Sequence, residues 1–336
     1  MTTHSTINNI AIPLKVISTG IALPETRVFS SELDRRLNKS AGYVEKHCGI
    51  EYRFHAPFDL DPAVFAAQAI YDALRRQQIK PESIDLLISA SAIPIQALPY
   101  SAAHILKASS LPAGIACFDI NTSCVSFVTA MHVAASLLAS GGYRRIAIVS
   151  AELPSRGIDW NHRESSLIFG DGAACAIVER GDGQSGIVSY LLETYPEGIG
   201  YCEIRAGGVR KNLRSGMEDS DFLFHMDGKP LFKTASGLID GYMARLLAPS
   251  GLKLKDMATV IPHQASHLSL EHMRRRLGIS PQALIDIYRH RGNQVSASIP
   301  SALHEARLRG KFEPGHPAML IGTAAGLSFG GMILMP

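Results

Sequence analysis

Three short stretches carry residue types suited to nucleophilic chemistry. DINTSCVSFVTA, residues 119–130, sets a cysteine between small polar residues and an apolar run. PHQAS, residues 262–266, sets a histidine just past an apolar segment. RGNQVSASIPSAL, residues 291–303, sets an asparagine in a Gly-Asn turn ahead of another apolar run. After Cys124, the residues Phe127, Met131, Ala134 and Leu138 recur at helical spacing, and Val128, Ala135 and Leu137 cover much of the remaining surface. A helix that is apolar on most sides is a buried one, and the glycines at 141 and 142 end it. Cys124 therefore falls at or near the first turn, where unpaired N–H groups and the helix dipole favour a thiolate. Two readings fit it: a nucleophile, or one of the inert buried thiols common in protein cores. Cys117 and Cys175 lie in strand-like apolar runs and read as packing. Cys48 and Cys202 stand beside no motif and read the same way. A lone histidine or asparagine in a loop is ordinarily a surface or capping residue.

The elements that must position these residues alternate along the chain. IDLLISASA (84–92) and RRIAIVSAE (144–152) read as buried strands. ALRRQQI (73–79) and MRRRLGI (273–279) read as the ends of amphipathic helices. Such alternation predicts an α/β protein with a largely buried sheet. A faint repeat runs through it. The segment from Tyr71 and the segment from Tyr242 both read helix, short basic loop, acidic residue, apolar strand. Two similar α/β halves explain the repeat: residues 1–180, with the cysteine, and residues 181–336, with the histidine and asparagine. Cys124 is expected after the strand IACFDI, His263 after ATVIP and Asn293 after ALIDIY. All three then lie at the edge where open α/β sheets bind ligands.

The bulk properties narrow the function classes. Of 336 residues, 46% are hydrophobic and 19% charged, which suits a large buried core and excludes a disordered chain. A net charge of +3 gives no footing for nucleic acid or an anionic membrane. Five cysteines without a CxxC pair argue against a disulfide framework or a zinc site, and favour a reducing compartment. The first residues lack a signal-peptide pattern, and no apolar run approaches the ~18 residues of a membrane span. The expectation is a cytoplasmic protein without metal or redox cofactor; no glycine-rich dinucleotide fingerprint follows a strand.

DINTSC, IFGDGAA (168–174), PHQAS, GNQVSASIPSAL and GTAAGLSFGG (322–331) occur in an order and at separations that resemble the β-ketoacyl-acyl carrier protein synthase III family. The resemblance covers nearly the whole chain, starting at STGIALPETRVFSSEL (18–33). It implies a thiolase-like fold, two similar α/β halves forming a layered α-β-α-β-α core. It also implies a Cys–His–Asn active site at Cys124, His263 and Asn293. In that chemistry the thiolate takes an acyl group from an acyl-CoA. A malonyl thioester, carried by acyl carrier protein, then loses CO2. His263 and Asn293 hydrogen-bond the resulting enolate, which attacks the acyl group and gives a 3-oxoacyl thioester. Backbone N–H groups of Cys124 and Ala325 would hold the tetrahedral oxyanion.

The same resemblance implies that Tyr43, where tryptophan is common, and Arg163 stack the adenine of coenzyme A, with Lys233 a further basic contact. It implies an acyl-pocket role for Leu98 and a homodimer. Four departures stand out. Ala324, Ala325 and Gly326 occupy the place of a glycine triplet, and His47 and Leu268 stand where arginine is usual. The segment SAIPIQALPYSA (91–102) has no glutamate of the kind used by relatives that join two acyl chains head to head. Tyr43 itself is the fourth. These departures leave room for an acyltransferase of specialised metabolism that acts on a hydroxyl, amine or thiol without decarboxylation. A non-catalytic partner subunit is the remaining alternative, and the joint presence of Cys124, His263 and Asn293 speaks against it. FGDGAA reads as a tight Asp-Gly turn with a structural role beside the site.

Overall fold

The computed structural model describes residues 10–336, and of residues 163 and 164 only the backbone. In the strand Arg145–Glu152, Ile146 and Ile148 face one way and Ala147 and Val149 the other, and both faces are buried. That pattern is repeated until five layers result. The ten strands of the two main sheets are, in chain order, β1 (Ile12–Pro13), β2 (Lys15–Ala22), β3 (Leu86–Ser89), β4 (Ala116–Asp119), β5 (Arg145–Glu152), β6 (Gly172–Glu179), β7 (Gly186–Thr194), β8 (Thr259–Pro262), β9 (Ala318–Ala324) and β10 (Ser328–Met335). The helices of eight or more described residues are α1 (Pro62–Arg76), α2 (Ser101–Ala108), α3 (Ser126–Ala139), α4 (Gly228–Leu247), α5 (His267–Arg276) and α6 (Ser298–Leu308).

One sheet has the order β2-β6-β5-β3-β4 and the other β1-β7-β10-β9-β8. Their pairings repeat. β2 and β6 are antiparallel, as are β6 and β5, while β5, β3 and β4 run parallel. Likewise β7 and β10 are antiparallel, as are β10 and β9, while β9 and β8 run parallel. Side chains of α3 and α6 fill the space between the sheets, from Phe127, Met131 and Leu138 to Ile299 and Leu303. This central position explains why α3 is apolar almost all round. α1 and α2 cover the outer face of the first sheet, and α4 and α5 that of the second. The layers are therefore α-β-α-β-α.

Asp61 starts α1 by accepting the N–H of Ala63 at 2.7 Å, with Pro62 in the first turn. α3 stops at Ser140, and Gly141 follows with φ +81. The segment ALIDIY departs from its expected strand. It makes only an isolated parallel bridge, Val260 to Leu284, where β4 lies in the first sheet. The cause is Gln264, whose buried amide accepts the Ile287 N–H at 3.0 Å and donates to the Ile285 carbonyl at 3.1 Å. A side chain thus takes backbone groups that a ladder would use. Asn293 follows a short helix, Tyr288–Arg291, rather than a strand. Among the described residues no helix is long and apolar enough to cross a membrane. Nor do any three His, Cys, Asp or Glu side chains among them form a group able to hold a metal ion.

Candidate active site

The turn before α3 is tied by its own side chains. Asn121 accepts the Ser123 N–H at 2.9 Å and donates to the Ala92 carbonyl at 2.8 Å. The Thr122 N–H reaches Ser126 Oγ at 2.9 Å, and the Ser126 hydroxyl donates to the Ser123 carbonyl at 2.6 Å. Ser123 adopts φ +55, a left-handed conformation that a non-glycine residue holds only under such constraint. Cys124 follows, half-buried, one residue before the N-cap Val125. Burial pushes its thiol up to about 11, and the nearby Glu152 carboxyl adds to that. The Ser123 hydroxyl and the backbone N–H groups of Ala325 and Cys124 pull it down. The free thiol is thus neutral at rest, with two backbone donors directed at its sulfur.

His263 stands just past β8, 7% exposed, with its N–H on the Ile321 carbonyl at 2.8 Å. Burial lowers its imidazole to about 4, so the ring is neutral and donates one N–H. Gly322 on β9 makes room for it: a Cβ there would stand 2.8 Å from His263 Cβ and 3.1 Å from Val125 Cγ1. Asn293 is equally buried. Its N–H bonds the Ile168 carbonyl at 2.7 Å, its side-chain oxygen accepts the Val295 N–H at 2.8 Å, and its Nδ2 donates to the Ala265 carbonyl at 3.2 Å. The amide is fixed in direction with one N–H to spare.

The FGDGAA turn braces this loop. Gln294 donates to the Asp171 carbonyl at 3.0 Å and packs where a side chain on Gly172 would be. Asp171 itself, raised to about 6 by burial, accepts the Ala56 and Ser155 N–H groups.

Cys124, His263, Asn293 and Ala325 line one cavity of about 1780 Å³. Ala324 and Ala325 avoid positive φ, and Gly326 alone of the three takes it, at +123, so alanine fits the loop. The other expected positions are more scattered. Tyr43 packs against His47 with ring centroids 4.0 Å apart and planes tilted by 34°; His47 lines the cavity. Lys233 is exposed on α4, beside the lining residue Phe232. Leu98 is 82% exposed, next to the lining residue Ala97. The side chain of Arg163 lies outside the described residues. Leu268 is exposed at the cavity wall.

Among the lining residues to which the sequence reading gave no role at the site are Glu152, Cys48 and Cys202. Cys202 lies near enough to Cys124 for its charge to count. A signal existed for Glu152 alone, an acid at the carboxyl end of a buried strand, where α/β sheets place their sites.

Known proteins share this sequence pattern and fold. The sequence model of 3-oxoacyl-[acyl-carrier-protein (ACP)] synthase III matches residues 118–196, and that of its C-terminal part matches residues 247–335. The first span holds Cys124, the second His263 and Asn293. A β-ketoacyl-[acyl-carrier-protein] synthase III of Aquifex aeolicus is 30% identical over 320 residues, 95% of this chain and 98% of the relative. A solved 3-oxoacyl-[acyl-carrier-protein] synthase III from Aquifex aeolicus superposes with a TM-score of 0.85 at 28% identity, covering 96% of this chain and 100% of that one. A priming β-ketosynthase of a polyketide pathway gives 0.84 at 27% identity, covering 97% of each chain. Fold and sequence thus agree, and the chain belongs to the 3-oxoacyl-[acyl-carrier-protein] synthase III family, the acyl-thioester condensing enzymes of thiolase-like fold.

Proposed function

We propose that this condensing enzyme loads an acyl group from coenzyme A onto Cys124 and extends it with a malonyl thioester carried by acyl carrier protein. The observation that carries the reading is the meeting of Cys124, His263, Asn293 and the Ala325 N–H in one cavity. The sulfur attacks the thioester carbonyl, and the N–H groups of Cys124 and Ala325 hold the oxyanion. The carbon–sulfur bond to coenzyme A breaks, and the thiol proton leaves with the departing thiolate. Malonyl decarboxylation then puts its electron pair into an enolate, whose oxygen takes N–H donors from neutral His263 and Asn293. The enolate carbon attacks the acyl group, the bond to Cys124 breaks, and a 3-oxoacyl thioester departs. Coenzyme A enters as substrate; this sequence of steps calls on no resident cofactor.

Tyr43, Arg163 and Lys233 are proposed to hold the coenzyme A end, and Leu98 to border the acyl pocket of a homodimer. β4 supports the dimer: among the described residues it ends its sheet with an unpaired edge, and it is only partly covered. The halves 1–180 and 181–336 are proposed as the structural units, since each holds one copy of the repeated strand order. The five free cysteines fit a reducing compartment, and we place the reaction in the cytoplasm.

The test is intact mass after incubation with acyl-CoA thioesters from acetyl to decanoyl, with Cys124→Ala beside it. A thioester adduct absent from the variant is expected, and the best primer gauges the pocket. Malonyl-acyl carrier protein added next should release a 3-oxoacyl product. An adduct that never condenses would favour transfer to a hydroxyl, amine or thiol instead. No adduct from any acyl donor, carrier-bound ones included, would point to a non-catalytic partner subunit.

A further inference from the structure

Glu152 ends β5 and is 1% exposed. A carboxyl at that depth must be neutral, ion-paired or saturated by donors. Among the described residues it makes no ion pair, and it is only half saturated. Oε1 accepts the Ala92 N–H at 2.5 Å and the Ser296 hydroxyl, while the buried Oε2 has no partner. The contacts join three parts of the site. Ala92 gives its carbonyl to Asn121 of the cysteine turn. Ser296 lies three residues past Asn293. Cys124 and Glu152 line the same cavity, and Asn121, which donates to the Ala92 carbonyl, accepts the N–H of Ser123, the residue before Cys124.

We propose that Glu152 is a positioning residue whose proton sets the reactivity of Cys124: as a neutral acid it leaves the thiolate unopposed, and as a carboxylate it sets a like charge against it. The proposal rests on Cys124 as the nucleophile. Burial raises the Glu152 carboxyl to about 7, against the pull of the Ser296 hydroxyl and the Ala92 N–H. The change of charge therefore falls near neutrality. The groups facing Glu152 are few. Cys124 comes from the approach to α3, and on β6 the residue paired with Glu152 is Gly172, whose neighbour Asp171 accepts from Ala56 and Ser155 instead. The loop after β3 and the turn Val295–Ala297 bring no titratable side chain to it.

The test is the rate of Cys124 alkylation by iodoacetamide from about pH 5.5 to 9.5, read by intact mass and peptide mapping, in wild type and Glu152→Gln. The wild-type profile should bend near pH 7. The amide variant should match it at the acid end and exceed it above pH 8 by about tenfold, the change in thiolate fraction from one unit of thiol pKa. Superimposed profiles overturn the proposal, and so does a constant ratio at every pH, which a merely structural role would give. If Glu152→Gln fails to fold by circular dichroism, Ser296→Ala decides. Losing that donor should move the bend to higher pH, and an unmoved bend overturns the proposal. Alkylation needs no acyl donor. A normal alkylation profile with no acyl adduct would therefore count against the proposed function alone.

Discussion

Asn293 is the residue whose geometry separates the two chemical steps most cleanly. Its amide is held by Val295 and Ala265, so the remaining N–H has a fixed direction. In the proposed mechanism acyl loading uses the backbone donors at Cys124 and Ala325, whereas the enolate needs side-chain donors. Asn293→Ala is therefore expected to slow condensation by about 10²–10³, the usual loss for one preorganised donor. Formation of acyl-Cys124 should stay within a few-fold. Single-turnover loading by mass and steady-state condensation measure the two, and equal losses in both would refute the assignment. Cys124, His263 and Asn293 were legible as candidates because each sits in a motif whose order along the chain is distinctive, and the fold brings the three to one cavity. Glu152 was not, because what makes it matter is a contact with Ser296, 144 residues away. The separation of Cys202 from any motif hid its approach to Cys124 for the same reason.

At the scale of elements, periodicity found the helices and the long strands, since burial on one face or on both leaves its mark on every residue. RRIAIVSAE is a strand over Arg145–Glu152 as read, and the apolar run after Cys124 is α3. ALIDIY carries the same apolar signal but does not pair as a strand, since Gln264 takes its backbone groups. Nothing local to ALIDIY records that. The buried amide also donates to the Pro262 carbonyl at 2.9 Å, so it ties the His263 loop to the segment leading to Asn293. Gln264→Leu keeps the volume and strips those bonds, leaving buried backbone groups unpaired. It should cost about 2–4 kcal/mol, from three backbone groups that lose their partner, offset in part by the added apolar contact. Urea unfolding measures this, and a cost under about 0.5 kcal/mol would mean that the segment finds ladder partners without the glutamine.

Over the whole molecule, the five layers bury ionisable groups of both kinds, and their effects on stability oppose each other. His263, His304 and His55 are held at about 4 by burial, below the ordinary histidine value of about 6.5. Unfolding lets them take protons between those limits, so the stability they contribute is full above pH 6.5 and is lost as pH falls to about 4. Glu152 and Asp171 run the other way. Burial raises them to about 7 and about 6, so folding binds their protons more tightly. Their contribution is full below about pH 4, near the ordinary carboxyl values, and is lost as pH rises through the folded ones. From about pH 4.5 to 6 three rising terms meet two falling ones, so stability should climb only gently with pH there, by the equivalent of about one proton per molecule. Below about pH 4.5 Glu271, held down to about 2 by its hydrogen bonds with Arg274 and Arg275, joins the histidines, and stability should drop steeply. Glu152→Gln removes one falling term. Between pH 4.5 and 7 its urea-unfolding free energy should therefore climb more steeply than that of wild type, by the equivalent of one proton per molecule. Parallel curves would mean that the Glu152 carboxyl has the same proton affinity folded and unfolded, and that the layers do not bury it as an acid.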